Sequence, residues 1–249
     1  MLNVKIPIKQ ESETSVQLEG NPTVPTSISN NAKGIVIFAH GSGSSRHSPR
    51  NHYVAQFLNN DGLATLLVDL LTQQEEETDI RTQKIQDKIP GLVLNKFNIK
   101  LLSKRLLRVT DWLLENEETK HLANNNIGYF GASTGAAAAL TAAAQKPNVI
   151  GAIVSRGGRP DLATPPEILT KVYSPTLFIV GGNDKPVIEL NNRISILLKN
   201  VQNKKVVIVP GATHLFEEPG ALEEVARLAS GWFRCYFQIK AHSTQRQQT

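Results

Sequence analysis

The sequence predicts an α/β fold, a mostly parallel central sheet with helices on both faces, in a single domain over residues 1–249. Three observations lead to it. GIVIFAH and LATLLVDL are dense apolar runs of strand length, as strands covered on both faces are, and NIGYFGA, VIGAIVS, TLFIVGG and KKVVIVPG read as further strands. Helix-length segments stand between them, so strand and helix alternate as in βαβ units. At 249 residues and 27.3 kDa, the chain is of a size for one such domain.

In chain order, VKIPI and SVQLEG alternate like two strands, and the Pro, Ser and Asn cluster NPTVPTSISNNAKG then breaks the pattern, so residues 1–33 read as N-terminal strands and a loop. GIVIFAH opens the buried sheet and is followed by the turn-rich HGSGSSRHSPRN and the helix YVAQFLNN. After LATLLVDL, the polar stretch TQQEEETDIRTQ reads as a solvated excursion, disordered or partly helical at its centre. FNIKLLSKRLLRVTDWLLENEE repeats apolar residues at steps of three and four, which predicts a long amphipathic helix. NIGYFGA, TGAAAALTAAAQ, VIGAIVS, TLFIVGG, ELNNRISILLKN, KKVVIVPG and LEEVARLASGWFRCYF then complete the alternation. The polar tail, residues 239–249, is expected to fray.

Composition removes several function classes. Hydrophobic residues make up 40% and charged residues 20%, and no apolar run approaches the roughly 20 residues of a membrane span. The N-terminus lacks the apolar core and cleavage site of a signal peptide, so the expected compartment is cytoplasmic. The single cysteine, Cys235, permits neither an intrachain disulfide nor a cysteine metal cluster and reads as a small buried hydrophobe. A net charge of +5 is spread along the chain without a nucleic-acid-binding pattern. No nucleic-acid or membrane partner is expected, and the oligomeric state is left open.

In a parallel sheet of this kind, ligands bind beyond the carboxyl ends of the strands, so the chemistry is sought in the loops there. Gly131-Ala132-Ser133-Thr134-Gly135 has G-x-S-x-G spacing and joins a predicted strand to a predicted helix. A nucleophile on so sharp a turn needs bare neighbours, which Gly131, Gly135 and the following alanines supply. Ser133 would cap the next helix, and the Thr134 N–H at that helix start would donate to an oxyanion. Read alone, the same pentapeptide is also a plain N-cap serine.

A serine needs a base, and the base an orienting acid. Asp184, after TLFIVGG, and His214, after KKVVIVPG, both fall at the predicted active edge, and the order Ser133, Asp184, His214 is that of α/β hydrolases. Asp161, in the loop after VIGAIVS, is a rival acid, while Asp184 also fits a turn former and His214 a structural histidine. The second oxyanion donor is expected at the Ser42 N–H, flanked by Gly41 and Gly43. GSGSS lacks the lysine and spacing of a phosphate loop, and GxGxxG is absent. Arg46, Arg50, Arg156 and Arg159 lie on loops at this edge, where each either clamps a substrate carboxylate or serves as an ordinary loop charge. His40 is expected to order its loop through hydrogen bonds. His47, His52, His121 and His242 lack metal-ligand spacing, so neither a metal nor another cofactor is expected.

Together HGSGSSRHSPRN, GYFGASTGAAAAL, SRGGRPDLA and GATHLFEEPGAL resemble the α/β-hydrolase superfamily and its dienelactone hydrolase-like branch, more narrowly the hydrolase half of phosphoribosyltransferase and dienelactone hydrolase fusion proteins. The likeness spans about Gly34 to Phe237. It contains no phosphoribosyltransferase pattern, and a free-standing hydrolase is expected. Dienelactone hydrolases use a cysteine nucleophile where this chain has Ser133, a departure that points away from dienelactone itself. The resemblance implies hydrolysis of a carboxylic ester or lactone, with Ser133 as nucleophile, His214 as base and Asp184 as its orienter. Between Ser155 and Thr176, where many relatives insert a cap, the chain has only a short loop, so an open cleft for small or polar acyl groups is expected. Only TQQEEETDIRTQKIQDKIPGLVLNK is long enough to overhang it. The same triad would also serve an acyltransferase or thioesterase, and the contrasting expectation is a non-catalytic hydrolase-fold binding or signalling protein.

Overall fold

The computed structural model describes residues 3–9, 15–25, 32–84, 89, 91–123 and 126–246, without side chains beyond Phe237. Eight strands form one sheet: β1 (Val4–Lys9), β2 (Ser15–Thr23), β3 (Ile35–Ala39), β4 (Ala64–Val68), β5 (Ile127–Ala132), β6 (Ile150–Arg156), β7 (Thr176–Gly181) and β8 (Lys204–Val209). Their order is β1-β2-β4-β3-β5-β6-β7-β8. Only the β1–β2 and β2–β4 pairings are antiparallel. β3 to β7 are buried along their whole length, which accounts for apolar runs without alternation. β8 carries exposed Lys204 and Lys205 at the sheet edge, where lysines discourage pairing with another chain.

Helices α1 (Pro49–Asn60) and α7 (Ala221–Arg246) cover one face, burying Val54, Leu58, Val225 and Phe233 against Val36, Phe130 and Val154. α3 (Ile99–Glu115), α5 (Thr134–Gln145) and α6 (Lys185–Leu197) cover the other. α5 is buried from Thr134 to Ala144, and its alanines let it lie close to the sheet. α7 reaches Arg246, through most of the tail expected to fray.

Three further local expectations differ from the structure. The stretch TQQEEETDIRTQ is an ordered helix, α2 (Gln73–Gln83), with a short helix α4 (Lys120–Ala123) later in the chain. A capping box starts α2: the Thr72 hydroxyl accepts from Glu75 N–H, and the Glu75 carboxylate accepts from Thr72 N–H at 2.8 Å. β2 continues through Asn21–Thr23, where a loop was predicted, because those residues pair with β4. Cys235 is exposed, since Phe233 and Phe237 take the inward stripe of α7 and the helical period turns Cys235 away. Within the overhang, residues 85–88 and 90 lie outside the described residues.

The sheet order reverses between β3 and β5, each continuing in its own direction, which opens a crevice beyond their carboxyl ends. The loop after β3 and the turn after β5 meet there.

Candidate active site

Ser133 sits at the β5–α5 turn with φ 49° and ψ −118°, a conformation in which a residue with a side chain is strained. Close packing on every side holds it. A Cβ on Gly131 would lie 2.5 Å from Ala136 Cα, and one on Gly135 would overlap the Ala39 carbonyl. Gly41 lets the β3 loop come near, since a Cβ there would stand 3.0 Å from Ser133 Cβ. The Ser133 backbone is anchored to the next strand, its N–H donating to Arg156 O at 3.3 Å and its carbonyl accepting from Arg159 N–H at 3.0 Å. Although it occupies the cap position of α5, its hydroxyl makes no capping hydrogen bond.

His214 and Asp184 meet beyond the carboxyl ends of β7 and β8, without a hydrogen bond from either side chain to Ser133 among the described residues. Asp184 is the cap residue of α6 without a side-chain capping bond, and its Oδ2 is 2.6 Å from His214 Nδ1. Asp161, the rival acid, is engaged elsewhere: its two oxygens accept from Arg159 Nε and Nη2 at 2.9 and 2.8 Å. The imidazole is seated on Gly157, directly after β6; a Cβ there would lie 3.1 Å from His214 O and 3.4 Å from its Cε1. Gly157 has φ +50°, so both its space and its backbone call for glycine. Arg156 O binds the Ser133 backbone and the next residue supports His214, so one short segment touches both residues. Sequence reading missed Gly157, although the GG of SRGGRPD was visible as a signal for a constrained turn.

Of the predicted oxyanion donors, Thr134 N–H is at the first position of α5, where no intrahelical acceptor exists. Ser42 N–H donates to Thr134 Oγ1 at 2.9 Å, tying the β3 loop to the start of α5. His40 orders that loop as expected: its Nε2 accepts from Leu70 N–H at 3.1 Å, and its Nδ1 lies 3.0 Å from Gly41 O. Burial is the largest influence on His40 and lowers its pKa, against the opposing hydrogen bond to Gly41 and the charge of Asp69.

A cavity of about 320 Å³ adjoins this arrangement, bounded by the 41–45 loop and Thr134 on one side and by Glu76 and Ile80 of α2 on the other. Arg105 of α3 holds α2 in place. It is 2% exposed, bridges the Glu75 carboxylate and donates to Leu70 O at 2.9 Å. Burial raises the Glu75 pKa, but the Arg105 and Thr72 contacts outweigh it and leave the carboxyl below its ordinary value. Burial and the Asp69 charge raise Glu76, with Arg46 opposing.

The four arginines differ in their partners. Arg46 bridges Asp69 and Glu19, Arg159 is paired with Asp161, and Arg50 Nη1 donates to Glu217 at 2.9 Å. Their expected role as substrate clamps therefore competes with internal ion pairs, most completely at Arg46, which is held by two carboxylates. Arg156 has no acidic partner among the described residues. Among those residues no three side chains converge as metal ligands, and no helix is long and apolar enough to cross a membrane.

The fold and the turn at Ser133 define an α/β hydrolase. The sequence pattern of the dienelactone hydrolase family matches residues 21–241, and the chain belongs to that family. The crystal structure of a dienelactone hydrolase from Anabaena variabilis is 52% identical, with a TM-score of 0.79 over 94% of this chain and 98% of that one. Est1E of Butyrivibrio proteoclasticus shares the fold at 17% identity and a TM-score of 0.69, over 94% of this chain and 99% of its own. A Mycobacterium tuberculosis protein provisionally named a phosphoribosyl transferase is 50% identical over 218 residues, 88% of this chain and 44% of that protein. The chain thus spans less than half the length of the curated relatives it matches.

Proposed function

We propose that the chain is a serine hydrolase that cleaves a small or polar carboxylic ester or lactone through an acyl-enzyme. One observation carries this reading: Ser133, with a strained backbone and a hydroxyl that makes no capping bond, stands at a strand-to-helix turn, and the hydrogen-bonded His214–Asp184 pair is seated on the adjoining segment. Ser133 Oγ attacks the acyl carbon while His214 Nε2 takes its proton, and Asp184 holds the Nδ1–H of the imidazolium. The oxyanion is met by Thr134 N–H and by Ser42 N–H, which must be shared with or released from the Thr134 hydroxyl. His214 then protonates the leaving alcohol, and water enters by the reverse sequence to free the acid. Acyl transfer follows if an alcohol or thiol replaces that water. A cytoplasmic setting belongs to the same reading and is supported by the exposed free thiol of Cys235, which suits a reducing compartment.

The test is steady-state hydrolysis of short-chain 4-nitrophenyl esters and simple lactones by the intact protein, Ser133→Ala and Asp184→Asn. Turnover is expected to vanish in the first variant and to fall by about 10⁴-fold in the second. Equal rates in the wild type and Ser133→Ala would reject the assignment.

A further inference from the structure

The cavity beside the predicted oxyanion donors is closed on its far side by a carboxylate that the mechanism leaves unused. It runs from Ser42 and Thr134 to α2, where Glu76, Asp79 and Ile80 share one helix face at steps of three and four. Leu71, Leu102 and Ile80 give it apolar walls. An ionised group facing such walls is costly without a partner.

Glu76 is the group in that position. Asp79, 4% exposed, is satisfied, since its two oxygens accept from Asn95 N–H and Lys96 N–H at 2.8 Å. Lys96 also lines the cavity, but its Nζ donates to Gln83 Oε1 at 2.9 Å. Glu75 commits its carboxylate to the capping box and to Arg105. Glu76 is half-buried, and its carboxylate has neither a hydrogen bond nor an ion pair among the described residues. Burial and then the charge of Asp69 raise its pKa, Arg46 opposes them, and Asp79 adds a smaller push upward. Arg46 gives limited relief, because it is bridged to both Asp69 and Glu19. Glu76 thus stands in negative surroundings and faces the space a substrate would fill.

We infer that Glu76 determines specificity in the proposed hydrolase: the part of the ester or lactone that reaches from the oxyanion donors to α2 carries a hydroxyl or ammonium group, which donates a hydrogen bond to the Glu76 carboxylate. This inference rests on the hydrolase reading and narrows its substrate class. A carboxylate only accepts, and that fixes the sign of the preference. A donor completes Glu76, an alkyl end leaves it unpaired, and a second carboxylate is repelled. Between the two donors, an ammonium gains more from the charge and loses more on leaving water.

The experiment compares kcat/KM on the wild type, Glu76→Gln and Glu76→Leu for two series of esters. One series is the 4-nitrophenyl esters of hexanoic, 6-hydroxyhexanoic, 6-aminohexanoic and adipic acids; the other is the acetates of 1-hexanol, 1,6-hexanediol and 6-amino-1-hexanol, followed by acid release. They place the donor on the acyl and on the alcohol side. The wild type is expected to prefer a donor-bearing ester to its alkyl counterpart in at least one series and to take the adipate half-ester least. The better donor shows whether hydroxyl or ammonium is read. Glu76→Leu is expected to lower the donor-to-alkyl ratio about tenfold or more and to relieve the discrimination against adipate. Glu76→Gln, which accepts without the charge, is expected to keep part of a hydroxyl preference and to lose an ammonium preference. Should Glu76→Leu fail to fold, Glu76→Ala takes its place. A ratio unchanged in the folded variant, or a wild type that favours the alkyl ester in both series, would overturn the assignment while hydrolysis itself left the enzyme reading intact. No hydrolysis of any ester and no fluorophosphonate labelling would instead overturn the hydrolase. Binding of 1,6-hexanediol or 6-amino-1-hexanol in ligand-observed NMR, lost in Glu76→Leu, would then uphold the donor site, and no binding would overturn it.

Discussion

At Gly157 a missing side chain does as much as a present one. A Cβ there would press on His214, and its φ of +50° disfavours any side chain by about 1–2 kcal/mol. Gly157→Ala is expected to lose about that much stability in denaturant titration. Because a misplacement of about 1 Å can cost on the order of 100-fold in rate, it is also expected to lower kcat far more than it raises KM. His40 gives a separate, pH-dependent outcome. Its buried neutral ring accepts from Leu70, and its folded pKa lies below the ordinary 6.5. Below pH 6.5 the unfolded chain therefore binds more protons than the folded one, so stability is full above that pH and declines as the pH falls toward the folded value. His40→Gln should flatten that decline between pH 7.5 and 5, measured as urea midpoints; a slope equal to wild type would place the proton uptake elsewhere. Ser133, Asp184 and His214 were legible because type, order and loop position agreed. Their supports were not, since the orphaned state of Arg156 and the seat at Gly157 depend on contacts between segments far apart in sequence.

Among the elements, the parallel strands were the most readable, because burial on both faces leaves a continuous apolar signature. α2 was the least readable. Its sequence, QQEEETDIRTQ, has no apolar stripe, and what holds it is the Thr72–Glu75 capping box, the Arg105–Glu75 pair and the buried Asp79 carboxylate, which accepts from Asn95 and Lys96 N–H at 2.8 Å. The box was present as T-x-x-E in the sequence; the partner on α3 was not deducible from it. Thr72→Ala is expected to destabilise the α2 terminus by about 1 kcal/mol, seen as faster amide exchange across Gln73–Gln83 with little change in β5. Exchange rates in α2 equal to wild type would show that the Arg105 and Asp79 contacts hold the helix without the cap.

Across the whole molecule, the sheet order places the β3 loop, the β5 turn and the β7 and β8 loops at one edge. The connection from β6 to β7 lies along α5, where Ala163 and Leu169 join the core, and does not extend into a cap. Access is therefore bounded mainly by α2. Ester series are expected to peak at short acyl chains, and a clear preference for long chains would contradict an open cleft of about 320 Å³. The most direct measurement of the central claim is fluorophosphonate labelling of the wild type and Ser133→Ala, with the adduct located by peptide mass spectrometry. One adduct on Ser133, absent from the variant, is the predicted result; an unlabelled wild type, or equal labelling of both proteins, would contradict it.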